Sequence, residues 1–96
     1  MKFKNKKILI TGASRGIGRA TAIAFAKEGG TVGLNYKNNT EDAKATLARM
    51  NGGKHHLFQR DISNTSEAQK LIQDFIKAYG KIDILINNAG IAIPHD

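Results

Sequence analysis

Short apolar runs alternate along the chain with longer segments in which apolar residues recur at helical spacing. Lys7-Ile8-Leu9-Ile10-Thr11 is a nearly continuous apolar run, the pattern of a strand covered on both faces. A glycine-rich turn follows, then a segment to about Glu28 carrying Ile17, Ala20, Thr21, Ala24 and Ala26 at helical spacing, stopped by Gly29-Gly30. The small side chains of Ala20 and Ala24 predict close approach of this helix to a sheet. Thr31 to Tyr36 reads as a second strand, weakened by Gly33 in its interior. Glu41 to Met50 reads as a second helix capped by Thr40, with Ala43, Leu47 and Met50 on one face and Asn51-Gly52-Gly53 after it.

His56 to Arg60 is a third candidate strand, leading into Asp61-Ile62. Asn64 followed by Glu67 resembles a capping box, and Ala68, Leu71, Ile72, Phe75, Ile76 and Tyr79 then trace the clearest amphipathic helix, closed by Gly80. Asp83 to Asn88 reads as the last strand. Four strands alternating with three helices call for an α/β fold, a Rossmann-type doubly wound parallel sheet of order 3-2-1-4. In that order Gly12–Gly18 and Asn87–Gly90 both fall at carboxyl ends of neighbouring strands, where ligands bind in such sheets.

Composition narrows the options. With 96 residues, 41% hydrophobic and 24% charged, the chain is a single small globular unit. It has no cysteine, which excludes disulfides, thiolate metal sites and a cysteine nucleophile and suits a cytoplasmic location. The basic start at Met1–Lys7 is followed by only Ile8-Leu9-Ile10, too short for a signal peptide, and no apolar stretch approaches membrane-spanning length. The net charge of +7 comes from lysines spread along the chain, with one knot at Lys2 to Lys7, rather than clustered on one element among stacking aromatics. It reads as a solvated basic surface, with neither nucleic acid nor membrane expected as a partner. His55, His56 and His95 form no metal-ligand spacing.

The turn Thr11-Gly12-Ala13-Ser14-Arg15-Gly16-Ile17-Gly18 joins a buried strand to a helix, the arrangement that lets backbone N–H groups and the helix dipole hold a phosphate. Its spacing, G-x-x-x-G-x-G, is neither G-x-G-x-x-G nor a P-loop. It resembles the T-G-x-x-x-G-x-G motif of the short-chain dehydrogenase/reductase family. Asn87-Asn88-Ala89-Gly90 is similar to that family's N-N-A-G element, and Asp61 to its adenine-contacting aspartate, in the same order. Within the family the turn and the Asn35-Tyr36 strand end look most like 3-oxoacyl-acyl-carrier-protein reductases.

The resemblance implies that Gly12, Gly16, Ile17 and Gly18 line a pyrophosphate, with Ser14 bonding backbone or phosphate. It implies that Asp61 accepts from the adenine amino group with Ile62 against the ring. Asn88, Ala89 and Gly90 would border the adenosine ribose and brace the first strand against the fourth. From Leu34 through Tyr36 and Lys37 to Asn39 there is no acid to bind a ribose 2′-hydroxyl, whereas Lys37 and Arg15 suit a 2′-phosphate; NADP(H) is therefore expected over NAD(H). The family's Tyr-x-x-x-Lys pair is missing, since Tyr36 is followed four residues later by Thr40 and Tyr79 by Asp83, so no catalytic residue is assigned. Residues 1–96 are expected to be the N-terminal, cofactor-binding part of one domain, a truncated form whose carbonyl or alcohol substrate belongs to the full-length protein. The alternatives are a non-catalytic module and a half-domain that associates through its exposed sheet edge.

Overall fold

The computed structural model describes residues 1–89. It contains β1 (Lys7–Thr11), α1 (Gly16–Lys27), β2 (Thr31–Tyr36), α2 (Thr40–Ala48), β3 (His56–Gln59), α3 (Thr65–Tyr79) and β4 (Ile84–Asn87). All strand pairs are parallel and the order is β3-β2-β1-β4, as the alternation predicts. Strand β1 is the hub: Ile8 sits opposite Val32 on one side and Ile84 on the other.

Alternation along the strands divides the core in two. Ile8, Ile10, Val32 and Leu34 pack with Ala22 and Ala26 beneath α1 and α2. Leu9 faces the other way, onto Ala68, Leu71 and Phe75 of α3. Helix α3 is delimited as the sequence predicts: the Asn64 side chain accepts from the Glu67 N–H at 3.1 Å, and Gly80 ends it at φ +86°. Gly33 has a packing reason. A Cβ there would stand 2.6 Å from the Phe75 ring and 2.8 Å from the Phe58 ring, so the two aromatics occupy the space a side chain would need.

Three local expectations are corrected. Ala20 and Ala24 are exposed; Gly18, Ala22 and Ala26 face the sheet instead. Helical phase is set at Gly18, where a Cβ would lie 2.1 Å from the Gly12 carbonyl oxygen, and the residues four and eight further on share its face. Thr40 is inside α2 rather than its cap: Asn39 precedes the helix, without a side-chain cap bond, and the helix ends at Ala48. Strands β3 and β4 are each shorter than predicted. Arg60, just past β3, still donates its N–H to the Tyr36 carbonyl at 3.0 Å, and the Asp83 carboxylate accepts from the Lys7 N–H at 2.7 Å at the foot of the sheet.

His55 and His56 point apart, as adjacent residues at a strand start do. His55 is buried, with Nδ1 accepting from the Val32 N–H at 3.0 Å, while His56 is exposed and stacks on Tyr79. No helix among the described residues is long and apolar enough to cross a membrane.

Candidate functional site

At the carboxyl end of the sheet, chain direction reverses between β1 and α1 through the glycine turn. Gly12 and Gly16 adopt φ +63° and +62°, a region that disfavours residues with a Cβ. Around Gly16 nothing lies within 4 Å of where a Cβ would stand, so its outer side is open. Arg15 occupies the N-cap in extended conformation without a side-chain cap bond, and the first turn of α1 has no acidic residue. The helix start thus keeps its amide donors and positive dipole end uncompensated by side chains, the condition for binding an anion.

The turn is held from behind. Arg19 donates through Nε to Thr46 Oγ1 at 2.8 Å and through Nη2 to the carbonyls of Ser14 at 2.9 Å and Asp42 at 3.1 Å. Thr46, fully buried on α2, also reaches the Ser14 carbonyl, at 2.8 Å. The Ala13 N–H is taken by the Asn35 carbonyl of β2 at 3.1 Å. None of these supports was singled out from the sequence, because each joins segments distant along the chain.

The end of β4 braces the turn from the side. Asn88 Nδ2 donates to the Gly12 carbonyl at 3.1 Å, Thr11 Oγ1 donates to Asn87 Oδ1 at 3.0 Å, and the same hydroxyl accepts from the Ala89 N–H at 3.2 Å. A Cβ on Gly12 would meet the Ala89 nitrogen and Asn88 Nδ2 at 3.4 Å. Asn88 thus ties the end of β4 to the first glycine of the turn. Gly90 lies outside the described residues.

Beside the turn, a cleft of about 310 Å³ opens between the ends of β1, β2 and β3, lined among others by Gly12, Ser14, Tyr36, Lys37, Asp61 and Ile62, with Ala89 at its rim. Ser14, Tyr36 and Ile62 are buried in its walls. Arg15, Gly16 and Ile17 stand outside the cleft at the helix start, and Ile17 is 76% exposed, an unusual position for an isoleucine. Gly18 is buried under the turn.

Asp61 carries the cleft's carboxylate. Its Oδ1 accepts from the Ser63 hydroxyl at 2.6 Å and the Ser63 N–H at 3.1 Å, and Lys37 Nζ stands 3.6 Å from Oδ2. The Ser63 bonds first, then the Lys37 charge, hold its pKa below the ordinary carboxylate range. At neutral pH it is an ionised, acceptor-only group. Asn35 and Arg60 also border this cleft without having been read as site residues. Asn35 Nδ2 donates to the carbonyls of Phe58 and Arg60, and the Arg60 guanidinium grips Asp74 at 2.9 Å and Glu67 at 3.1 Å, fixing the end of β3 to α3. Among the described residues no group of three His, Asp or Glu comes together as a metal site.

This architecture has close counterparts among known proteins. Residues 6–96 match the family model described as short chain dehydrogenase. The chain belongs to that family. It is 42% identical over 95 residues to a glucose 1-dehydrogenase of Gluconobacter oxydans, covering 97% of this chain and 36% of that protein. It is 38% identical over 100 residues to the short-chain dehydrogenase/reductase homolog YusS of Bacillus subtilis, covering all of this chain and 92% of YusS. Among solved structures, a short chain dehydrogenase from Burkholderia cenocepacia in complex with NADP superposes with a TM-score of 0.88 at 34% identity, over 95% of this chain and 38% of that one. The chain thus spans about a third of the glucose 1-dehydrogenase it resembles.

Proposed function

We propose that this chain is the cofactor-binding part of an NADP(H)-dependent oxidoreductase that reduces a carbonyl group or oxidises the corresponding alcohol. The observation that carries the reading is the uncapped start of α1, set behind two positive-φ glycines and next to a cleft that holds an ionised carboxylate. The nicotinamide ring of the bound cofactor supplies the hydride chemistry.

The chain's own residues bind and orient. Gly12, Gly16 and Ile17 line the pyrophosphate, Gly18 packs beneath the turn rather than facing the anion, and the amides at the start of α1 donate to it. Ser14 faces the cleft beside them. Asp61 accepts from the adenine amino group, Ile62 packs on the ring, and Tyr36 forms the wall behind. Asn88, Ala89 and Gly90 border the adenosine ribose.

The cofactor preference rests on charge. No acid stands between Leu34 and Glu41. Arg15 is exposed and has no side-chain partner among the described residues, and Lys37 is 60% exposed at the cleft mouth. A 2′-phosphate suits the Arg15 guanidinium and the Lys37 ammonium, and the end of β2 carries no acid of its own to select a ribose hydroxyl. Proton transfer needs a donor that these 96 residues do not supply in Tyr-x-x-x-Lys form.

Fluorescence titration with NADPH and NADH tests the reading. NADPH should bind tighter, and Arg15→Ala with Lys37→Ala should weaken it by about tenfold or more while leaving NADH nearly unchanged. Equal losses for both cofactors, or tighter NADH binding, would overturn the preference. No binding of either would overturn the site. A second reading, a nucleotide-binding unit without turnover of its own, takes support from YusS, 92% of which this chain spans. NADPH-dependent carbonyl reduction by the chain alone would exclude it.

A further inference from the structure

The net charge of +7 is not distributed over the molecule. Lys2, Lys4 and Lys6 precede β1, and Lys7 is its first residue. Lys54 and Lys81 precede β3 and β4. Lys27, Arg49 and Lys77 close α1, α2 and α3, which run antiparallel to the strands. Every one of these groups therefore stands at the amino end of the parallel sheet, away from the candidate cofactor site. Among the described residues two acids, Glu28 and Asp83, share that end, so nine bases face two acids there. The other described residues carry six bases and five acids, which nearly cancel.

Helix geometry accounts for part of this. Lys27, Arg49 and Lys77 complement the negative ends of three helix dipoles. The other six serve no such purpose, and among the described residues only Lys81 of the nine is ion-paired, with Asp83 at 3.5 Å. Eight of the nine are exposed, Lys7 alone being half-buried with its Nζ over the Tyr79 ring.

We propose that this lysine-rich end of the sheet is a docking surface for an anionic phospholipid bilayer. The charges extend in two directions, across the strands from Lys54 to Lys81 and across the layers from Lys27 to Lys77. A planar charged surface meets all of them at once, whereas a nucleic-acid duplex engages a stripe. Eight of the nine bases are lysines, which act as point charges on phosphate without the planar fork used for base or peptide readout. The rings at this end are engaged within the protein, Phe3 edge-on against Phe25 and Tyr79 stacked with His56. At the same end Met1 is 85% exposed, an apolar side chain set among lysines, as at membrane-contacting surfaces. A second cleft, of about 310 Å³, opens beside it between Lys27, Lys54 and His55, with room for a phosphodiester headgroup.

The test is co-sedimentation of the full chain with phosphatidylserine-rich vesicles, against pure phosphatidylcholine vesicles. Binding is expected only to the anionic vesicles and should fall steeply with salt. Each lysine near an anionic surface contributes about a factor of five, so Lys6→Gln with Lys54→Gln should weaken binding about thirtyfold. Lys4→Gln with Lys77→Gln should do the same. Lys44→Gln with Lys70→Gln removes equal charge away from that end and should change binding less than about twofold. Circular dichroism verifies folding of each variant, and Lys6→Arg with Lys54→Arg should retain binding. The proposal is overturned if anionic vesicles are not bound, if the variant pairs lose binding equally, or if duplex DNA at equal phosphate binds more tightly than the vesicles.

Discussion

A methyl group on Gly18 would stand 2.1 Å from the carbonyl oxygen of Gly12. The contact joins the first turn of α1 to the start of the glycine turn and leaves no flexible side chain to yield. Gly18→Ala should therefore cost about 1–3 kcal/mol and abolish NADPH binding, because the helix start must move away from the turn. Gly16→Ala, at φ +62° but facing open space, should cost about 1 kcal/mol from backbone strain alone. Urea denaturation of both variants checks the order; a larger loss at Gly16 would show that space under the turn is not what Gly18 supplies.

Arg19 is the second support. Its guanidinium joins α1, α2 and the turn through three hydrogen bonds of 2.8–3.1 Å. Arg19→Ala should lower stability by about 1.5–3 kcal/mol, the range for hydrogen bonds to a charged group. Arg19→Lys should recover little, since one ammonium cannot span three acceptors fixed in a fork geometry. Full recovery by lysine would mean that charge alone suffices.

These two residues mark what the sequence can and cannot convey. Strand limits at Lys7–Thr11 and Thr31–Tyr36, and the helix from Asn64 to Gly80, are legible because periodicity and capping are local. The sheet-facing side of α1 is not. Alanines at 20, 22, 24 and 26 make opposite faces equally small, and only the tertiary contact at Gly18 selects one. The Arg19–Thr46–Ser14 support and the grip of Arg60 on Glu67 and Asp74 depend on separate segments meeting, which no local pattern encodes. Lys27, Lys54, Lys77 and Lys81 are far apart in sequence, yet parallel topology returns the chain to the same end of the sheet before every strand and gathers them beside the knot at Lys2 to Lys7.

Gly33→Ala should destabilise by about 1–3 kcal/mol, because the new methyl meets the rings of Phe75 and Phe58. Adding Phe75→Leu should remove part of that clash and bring the double variant closer to the wild type than the sum of the single changes. Thermal melts of the two single variants and the double form this cycle; strict additivity would place the strain elsewhere.

Stability should fall at both pH extremes for identifiable reasons. Burial pushes the Tyr79 hydroxyl, which donates to the Lys54 carbonyl at 2.7 Å, up to about 12. A folded value above the unfolded one means this contribution is complete below the ordinary tyrosine range and is lost as pH rises through about 12. Tyr79→Phe should flatten the alkaline limb of a stability–pH curve. Asp83, accepting from the Lys7 N–H, and Asp61, accepting from Ser63, are both held below the ordinary carboxylate range. Their contribution is present above that range and is lost as pH falls through the lowered values. Asp83→Asn should make the acid limb shallower, and an unchanged limb would assign it to other groups.

The order β3-β2-β1-β4 also sets a timetable for the growing chain. Strand β1 is synthesised first, and β2 can cover one of its edges soon afterwards, but the other edge belongs to β4, whose last residue, Asn87, pairs with Thr11. At roughly 5–20 residues per second, some 3–10 seconds separate the synthesis of Tyr36 from that of Asn87. Until then the edge of Ile8, Leu9 and Ile10 that pairs with Ile84, Leu85 and Ile86 has no strand to meet it. The strand at the centre of the sheet is thus the first to be made and the last to have both edges covered.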